Sequence, residues 1–268
     1  MSHKYFFCLR IFCFRFQQLL IALKRCAFRR ITLRLRLQMI YVGIDDTDTL
    51  DSRGTGRLAR TIAAEFSRKF PVFGVTRHQL FVHPSIPFTS HNSSAVIHIE
   101  APAEAIDEIF YATKKMMLDD FIVGSDPGLA VAHTEQVTAS VVAFGQDAKN
   151  IVVTQQRARE VAGNNKIRLE GLGGTEGGVI GAIAGIGLAT LRNDGRFLLK
   201  GKNRELTGTR PVSEIINAGI DQVFTLQGEA VLEGNVQIQK NATPSFIQGK
   251  AVLFVEKRGD VWFGLKRA

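Results

Sequence analysis

Cysteine is absent from residues 39–268, because all three cysteines lie within the first 38 residues. That long segment therefore has no disulfide, no thiolate nucleophile and no Cys-ligated zinc. A composition without cysteine fits a reducing compartment, so we expect a cytoplasmic protein. Uncharged apolar runs near the ~20 residues that span a bilayer are missing as well, and we expect no membrane span.

Acidic side chains are absent from residues 1–38, which hold nine of the 34 lysines and arginines. The other 25 basic residues are matched by 25 acidic ones, so residues 39–268 are formally neutral. Three interpretations of residues 1–38 stay open: a basic targeting or membrane-surface segment, a nucleic-acid-binding arm, or sequence upstream of a true start at Met39. Met39 directly precedes an apolar strand, so we expect 1–38 to be a disordered or non-native extension.

An acidic cluster follows the first predicted strand. Met39–Ile44 predicts a short buried strand, and Asp45, Asp46 and Asp48 come directly after it. Ligands of α/β sheets gather beyond the carboxyl ends of strands, and carboxylates this close repel one another unless a cation or donor compensates. Mg²⁺ is such a cation, since it binds through one or two carboxylates together with substrate phosphates. A solvated acidic turn is the alternative.

A glycine-rich segment, Gly171–Gly178, precedes an apolar helix predicted over Val179–Ala189. Glycines let backbone N–H groups approach a phosphate, and a helix N-terminus carries partial positive charge. The segment is not a Walker A motif, because no Lys-Ser/Thr follows, and it lies too late for a Rossmann fingerprint. Glu176 could add a metal ligand. Tight packing of a glycine-rich helix is the alternative.

Two further features of the sequence are a polar loop and a change of secondary-structure pattern late in the chain. The loop offers His83, His91 and Asn92 as groups that could orient a substrate, and a solvent-exposed loop is the alternative. Strand and helix patterns alternate up to Arg192–Arg196, and then short strands surround one helix. The sequence therefore predicts an α/β protein with a domain boundary near that segment.

Four segments, in order, resemble the archaeal agmatinylcytidine synthetase family, which modifies an isoleucine tRNA. Ile44–Asp48 is similar to the family's Ile-Asp-Asp-Thr-Asp motif, and His83–Pro87 with Asn92 is similar to its Asn-Pro-x-Ile-Pro loop. Asp126–Leu129 is similar to its x-Pro-Gly-Leu segment, and Gly174–Ala182 to its Gly-Thr-x-Gly-Gly-Val-Ile-Gly-Ala signature. The matches span about residues 39–190.

The resemblance implies an ATP-dependent enzyme. It implies a kinase-like α/β domain over residues 39–192, followed by a small α+β, ferredoxin-like domain over 196–268. The three aspartates would be catalytic and would hold Mg²⁺–ATP, and glycine-rich loops would approach the phosphates. The predicted residues are Asp45, Asp46, Asp48 and Glu176 for the metal, Gly54, Thr55, Gly56, Gly174, Thr175, Gly177 and Gly178 for ATP, and His83, His91 and Asn92 for the substrate.

In that family, ATP activates the base carbonyl of a tRNA cytidine, and agmatine displaces the activating phosphate. Archaeal members continue after the ferredoxin-like domain with an OB domain and a zinc ribbon that hold the tRNA, and this sequence contains neither. We therefore expect Mg²⁺–ATP to phosphorylate or activate a small-molecule or nucleoside acceptor, with tRNA as an alternative partner. A non-catalytic nucleotide-binding module is the alternative function.

Overall fold

Short apolar strands alternate with helices to form a mixed α/β protein, which confirms the predicted fold class. The computed structural model describes residues 37–89 and 91–266. Residues 1–36, and with them nearly all of the predicted basic extension, lie outside the described residues. The first strand, β1, begins at Leu37, two residues before the strand predicted from Met39.

The elements alternate in type up to residue 190 and are mainly strands thereafter. In chain order they are β1 (Leu37–Asp45), α1 (Thr55–Phe66), β2 (Val72–Gln79), β3 (Ser93–Pro102), α2 (Ile106–Asp119), β4 (Gly128–His133), α3 (Ala139–Asn150), α4 (Gln155–Asn164), β5 (Arg168–Gly171), α5 (Val179–Thr190), β6 (Arg196–Leu199), β7 (Gly208–Pro211), α6 (Val212–Asn217), β8 (Gln222–Thr225), β9 (Asn235–Ile238), β10 (Ser245–Ile247), β11 (Lys250–Arg258) and β12 (Val261–Gly264).

One sheet runs through the described residues in the order β5-β4-β1-β3-β2-β6-β10-β11-β12-β9-β7, with β8 beside β11. Strands β1 and β4 are antiparallel, and Asp45 at the end of β1 pairs with Gly128 at the start of β4. The pairs β8–β11 and β9–β12 are parallel. The antiparallel register matters for function, because it brings the segment before β4 to the carboxyl end of β1.

Helices cover both faces of the first half of the sheet. Helix α1 presents Leu58, Ile62 and Phe66 at the predicted spacing, and all three are buried in one core cluster with residues of β1 and α2. Helices α3, α4 and α5 form a second cluster on the other face. Strand β1 is apolar at nearly every position because both of its faces are covered.

Helix α5 is glycine-rich because its backbone lies directly on the sheet. A Cβ atom added to Gly185 of α5 would lie 2.4 Å from the Ser94 hydroxyl of β3, and one added to Gly43 of β1 would lie 2.1 Å from the carbonyl oxygen of Ala182 in α5. No side chain fits in that space, so strand and helix approach at backbone distance. Tight packing therefore accounts for part of the glycine content, as the alternative interpretation of this segment proposed.

A chain of buried polar side chains links β2, β3 and the turn after α5. The Thr76 hydroxyl lies 2.7 Å from Nε2 of His78 and 2.8 Å from Nε2 of His98. His78 Nδ1 lies 2.8 Å from Oδ1 of Asp194, whose other oxygen pairs with Lys149. Burial lowers the pKa of His98 well below its usual range, so that ring is neutral. The hydroxyl can then satisfy both imidazoles, once as donor and once as acceptor.

The short strands after residue 196 surround helix α6, as predicted, and form two further core clusters. Leu198 and Leu199 of β6 pack on the first cluster, and Phe73 of β2 packs on the last one. Strand β6 pairs with β2 on one side and with β10 on the other, so the sheet continues across the predicted boundary. From Met39 onward the chain forms one compact unit. The division near Arg192–Arg196 into a kinase-like and a ferredoxin-like domain stays a prediction.

The local sequence pattern indicates some elements of this structure and leaves others open. Thr154 is the N-cap of α4, and its hydroxyl accepts a hydrogen bond from the Arg157 amide. The apolar segment Val137–Phe144, which fits a strand or a helix, contributes to α3. Strand β5 has a short, charged sequence and carries no strand signal of its own. Within the described residues, every helix is too short or too polar to cross a membrane.

Candidate functional site

A cavity of about 330 Å³ opens at the carboxyl end of β1. This volume lies within the range of small-molecule sites. Its wall combines the end of β1, the first turns of α1 and α5, the loop after β2 and the segment before β4. The polar lining residues are Asp45, Asp46, Asp48, Thr55, Arg77, Thr89, His91, Asn92, Ser93, Ser94, Asp126, Gln155 and Thr175.

Two of the predicted aspartates are held in an environment that disfavours their charge. Burial raises the pKa of Asp45 to about 8, and the neighbouring charge of Asp46 adds to the rise. Burial also raises the pKa of Asp46 to about 6, with contributions from Asp126 and Asp48. Asp46 has a φ of 52°, in the left-handed region. Such carboxyls can lose their protons to solvent when a cation binds between them.

Helix α5 makes room for the Asp45 side chain. A Cβ atom added to Gly181, in the first turn of α5, would lie 1.7 Å from Oδ2 of Asp45. The glycine therefore permits the carboxyl to lie directly on the helix backbone. The glycine-rich signature and the acidic cluster, far apart in the sequence, meet at this point.

Asp126 joins the cluster, although it was not predicted as a site residue. Its Oδ1 accepts a hydrogen bond of 2.5 Å from the Thr175 amide, and its carbonyl accepts one of 2.8 Å from the Gly178 amide. Gln155 donates to the Thr175 carbonyl at 2.9 Å. These bonds fix the glycine-rich loop beside β1. The signal for Asp126 in the sequence was its place in the segment Asp126–Leu129, which resembles the family's x-Pro-Gly-Leu segment.

Two helix N-termini line the same cavity. Helix α1 follows Gly54, which has a φ of 28°, and α5 follows Gly178; neither has a side-chain cap or an acidic residue in its first turn. Such ends present partial positive charge to a bound anion. The Thr55 hydroxyl donates to Oδ1 of Asp48 at 3.1 Å, which orients that carboxylate. The cavity lining includes the predicted residues Gly54, Thr55, Gly56, Thr175, Gly177 and Gly178.

The rest of the wall is apolar. It comes from the end of β2, the α3–α4 junction, the first turn of α5 and the loop after β2. Its main side chains are Leu80, Ile86, Pro87, Phe88, Ala148, Ile151, Val153 and Ile180. A cavity that is charged at one end and apolar elsewhere suits a ligand with a phosphate part and a flat apolar part.

Three predicted residues do not line the cavity. The Glu176 side chain forms an ion pair with Arg159 at the surface, because the guanidinium offers it a partner outside the site. Gly174 is covered by Asp126, whose Oδ1 lies 1.9 Å from the position of an added Cβ. His83 stacks on Phe81 and hydrogen-bonds to the Ser85 hydroxyl, so its ring belongs to the exposed loop. The roles predicted for these three residues stay predictions, and the other predicted site residues line the cavity.

His91 and Asn92 do line the cavity. Asn92 holds the loop in place, since its Nδ2 donates to the Phe81 carbonyl at 2.6 Å. The charge of Arg77 lowers the pKa of the exposed His91. Arg77 was not predicted as a site residue, because a single arginine among the polar residues that end β2 is not a signal on its own. Its Nε donates to the Ser93 hydroxyl at 2.7 Å.

A metal would have to complete its coordination with oxygens from outside the protein. Within residues 37–89 and 91–266, no three His, Cys, Asp or Glu side chains converge closely enough to hold an ion. Mg²⁺ commonly uses one or two carboxylates and takes its other ligands from water and substrate phosphates. The aspartates of this cavity fit that mode of binding.

Known proteins resemble this chain over part of its sequence and its fold. No known family's sequence model matches the chain. An uncharacterized protein of Methanocaldococcus jannaschii is 27% identical over 162 residues, which are 58% of this chain and 51% of that protein. The chain therefore spans about half the length of this curated relative.

Among solved structures, a complex of TiaS with an isoleucine tRNA and ATP is similar with a TM-score of 0.50 and 24% identity, over 56% of this chain and 36% of that one. Apo TiaS, a tRNA agmatidine synthetase, has a TM-score of 0.48 and 23% identity over 56% and 35% of the two chains, a likeness too low to carry an argument. The first likeness shows a TiaS-like fold over about half of this chain. Membership in the family stays a prediction.

Proposed function

We propose that this protein is an enzyme that uses Mg²⁺–ATP to phosphorylate or activate an acceptor. The observation that carries the proposal is the convergence of an acidic cluster and two uncapped helix N-termini on one cavity. A metal-bound triphosphate is the ligand that matches both, because its metal prefers carboxylates and its phosphate oxygens prefer helix N–H groups. The TiaS complex of similar fold contains ATP and tRNA, which supports the proposal.

The donor chemistry fits the metal. Asp45 and Asp46 would be the principal ligands, because burial and neighbouring carboxylates raise their pKa values, and a bound cation would compensate the charge that this environment disfavours. Asp48, whose carboxylate is oriented by Thr55, and Asp126 would add negative charge near the bound metal. Bound Mg²⁺ supplies neutralisation of charge on the transferring phosphoryl group.

The chain's own groups would bind and position the nucleotide. The N-termini of α1 and α5 would direct partial positive charge at phosphate oxygens from two directions, although the amides of Gly178, Val179 and Ile180 in α5 already bond to backbone carbonyls. Hydrogen bonds from Thr175 and Gly178 to Asp126 keep the glycine-rich loop in a single position, so little reorganisation is needed on binding. Leu80, Ile151 and Ile180 would exclude water around the apolar part of the ligand.

The acceptor belongs to this proposal as well. We propose a small-molecule or nucleoside acceptor, activated through phosphate and open to amine ligation, with tRNA as the second candidate because the similar TiaS complex contains it. A cytoplasmic location is proposed on the ground that residues 39–268 contain no cysteine.

The test is Mg²⁺-dependent ATP turnover, with acceptors screened by mass spectrometry across small metabolites, nucleosides and tRNA. Asp46→Asn should lower kcat/KM by about 100-fold or more, since it removes a charged group that acts at the phosphoryl transfer. Asp260→Asn, on an exposed turn between β11 and β12, is the matched control and should leave turnover unchanged. Full turnover in Asp46→Asn would refute the site assignment. ATP affinity without turnover, whatever the acceptor, would favour a non-catalytic nucleotide-binding module.

A further inference from the structure

One buried hydroxyl in the wall of the cavity has no hydrogen-bond partner. Ser94 of β3 lines the cavity and is fully buried. Among the residues that the structure describes, none donates to its Oγ or accepts a hydrogen bond from it. Buried hydroxyls are nearly always hydrogen-bonded, because burial removes their bonds to water. The chain by itself therefore leaves a polar group unsatisfied at the candidate site.

The packing of α5 explains why this hydroxyl finds no partner within the chain. A Cβ atom added to Gly185 would lie 2.4 Å from Oγ of Ser94 and 2.9 Å from Cγ2 of Val96. The hydroxyl thus lies against the backbone of a helix whose interior amides and carbonyls already bond to one another. Gly185 lies one turn after Gly181, against which the Asp45 carboxyl lies. Two polar side chains of the cavity wall therefore occupy neighbouring glycine positions of one helix.

The surroundings of Ser94 belong to the apolar part of the cavity. Its direct partner in the β2–β3 pair is His78, so both side chains leave the sheet on the same face. The two ring nitrogens of His78 are engaged by Thr76 and Asp194. Leu80 packs in the core cluster of α5 and forms part of the apolar cavity wall. The Ser94 hydroxyl is therefore a polar group beside the wall that suits a flat apolar ring.

We propose that the Ser94 hydroxyl binds the polar edge of the nucleotide base in the apolar part of the cavity. A flat ring fits between apolar side chains, and its edge atoms then need hydrogen-bond partners. A hydroxyl both donates and accepts, so it can bond to a ring nitrogen or to an exocyclic amino group. Rotation about the Cα–Cβ bond turns Oγ between staggered positions, from α5 toward a ligand. This inference rests on the proposed function and adds a residue that selects the base.

An unsatisfied hydroxyl that serves a ligand predicts opposite effects of one substitution on stability and on binding. Ser94→Ala removes the unsatisfied group, so we expect the midpoint of urea unfolding to rise. The same change removes a partner of the bound base. It should weaken binding of Mg²⁺ and a non-hydrolysable ATP analogue about tenfold in calorimetry, the scale of one buried hydrogen bond.

Thr113→Val is the matched control. The Thr113 hydroxyl, on α2, is also fully buried and without a partner among the described residues, and Thr113 does not line the cavity. Valine has nearly the same shape without the hydroxyl. This variant should therefore raise the urea midpoint as Ser94→Ala does, and its affinity for the analogue should stay within twofold of the wild type.

Two partial ligands show which part of the nucleotide the hydroxyl contacts. Inorganic triphosphate carries the phosphates without the base, and its affinity in the presence of Mg²⁺ should be equal in the wild type and Ser94→Ala. Adenosine carries the base without the phosphates or the metal. Its weaker binding, followed by NMR titration, should fall about tenfold in Ser94→Ala, because the lost hydrogen bond is the same.

Three results would overturn the inference. Equal affinity of the analogue for the wild type and Ser94→Ala would show that the hydroxyl takes no part in binding. A parallel loss for inorganic triphosphate would assign the hydroxyl to the phosphates. A lowered urea midpoint in Ser94→Ala would show that the hydroxyl already has a partner within the protein.

The adenosine titration separates this inference from the proposed function. If the ATP analogue does not bind the wild type, the proposed function fails. Adenosine binding that depends on Ser94 would then still support a base site, and its absence would overturn one. If the analogue binds equally to both proteins, the proposed function stands and the role of Ser94 fails.

Discussion

Replacing Asp45 by asparagine should stabilise the ligand-free protein at neutral and basic pH. The carboxyl is buried against the backbone of α5, and its pKa is raised from 3.8 to about 8. Between these values the folded state keeps a proton that the unfolded chain has released. The free energy of unfolding therefore falls as pH rises, by about 1.4 kcal/mol per pH unit for this group. Asparagine has nearly the same shape and no charge, so it removes this slope.

The size of the effect follows from the two pKa values. The contribution of Asp45 is fully present below pH 3.8 and is lost as pH rises through about 8. From pH 5 to pH 8 the wild type should lose about 3.5 kcal/mol that the variant keeps. The shift of Asp46 acts between its usual pKa and about 6, and it contributes equally to both proteins.

The assay is urea unfolding, followed by circular dichroism at pH 5, 6, 7 and 8 with a metal chelator present. The two curves of unfolding free energy against pH should separate steadily toward pH 8. Adding Mg²⁺ should flatten the wild-type curve and leave Asp45→Asn unchanged, because the ion stabilises the charged carboxylate. Asp260→Asn should run parallel to the wild type. Parallel curves for the wild type and Asp45→Asn would refute the argument that this carboxyl is held neutral by burial.

Three other substitutions, with Gly163→Ala as the control for the first, test the contacts that the structure assigns to single residues. Gly181→Ala forces a methyl group onto the Asp45 carboxyl and should weaken Mg²⁺–ATP binding at least tenfold, as measured by calorimetry. Gly163 lies in α4, where an added Cβ meets nothing within 4 Å. Gly163→Ala should therefore leave the free energy of unfolding unchanged or raise it by about 0.5–1 kcal/mol. Thr76→Val leaves two buried imidazoles without their shared hydroxyl and should cost about 2–3 kcal/mol in urea unfolding, so unchanged stability would show that they find other partners. Glu176→Gln should keep ATP turnover within twofold, because the side chain lies off the cavity, and a 100-fold loss would return it to the metal site.

Local periodicity was sufficient to predict several elements. Leu58, Ile62 and Phe66 recur at helical spacing, and all three are buried on α1. The apolar run after Gly178 predicted α5, and Thr154 has the side chain of a typical N-cap at the start of α4. These features depend on neighbours along the chain, which is why sequence alone could indicate them.

The local sequence pattern could not predict which strands pair with each other. Strand β5 is short and charged, and it is a strand only because β4 offers it hydrogen bonds. The register of β1 with β4 placed Asp126 beside Asp45, and that of β2 with β6 placed Arg77 opposite Arg196. These pairs are far apart in the sequence, and nothing in the residues between them specifies that they meet.

The sequence by itself determined the ingredients of the site: carboxylates directly after a buried strand, and glycines directly before an apolar helix. Hydrophobic periodicity and the conformational freedom of glycine are encoded residue by residue, so these ingredients were visible without coordinates. Only the tertiary structure decided which of them share a cavity. In that structure Asp45 lies against Gly181, Glu176 forms an ion pair with Arg159 at the surface, and Arg77 lines the cavity. Close packing and charge pairing select such partners by distance in space.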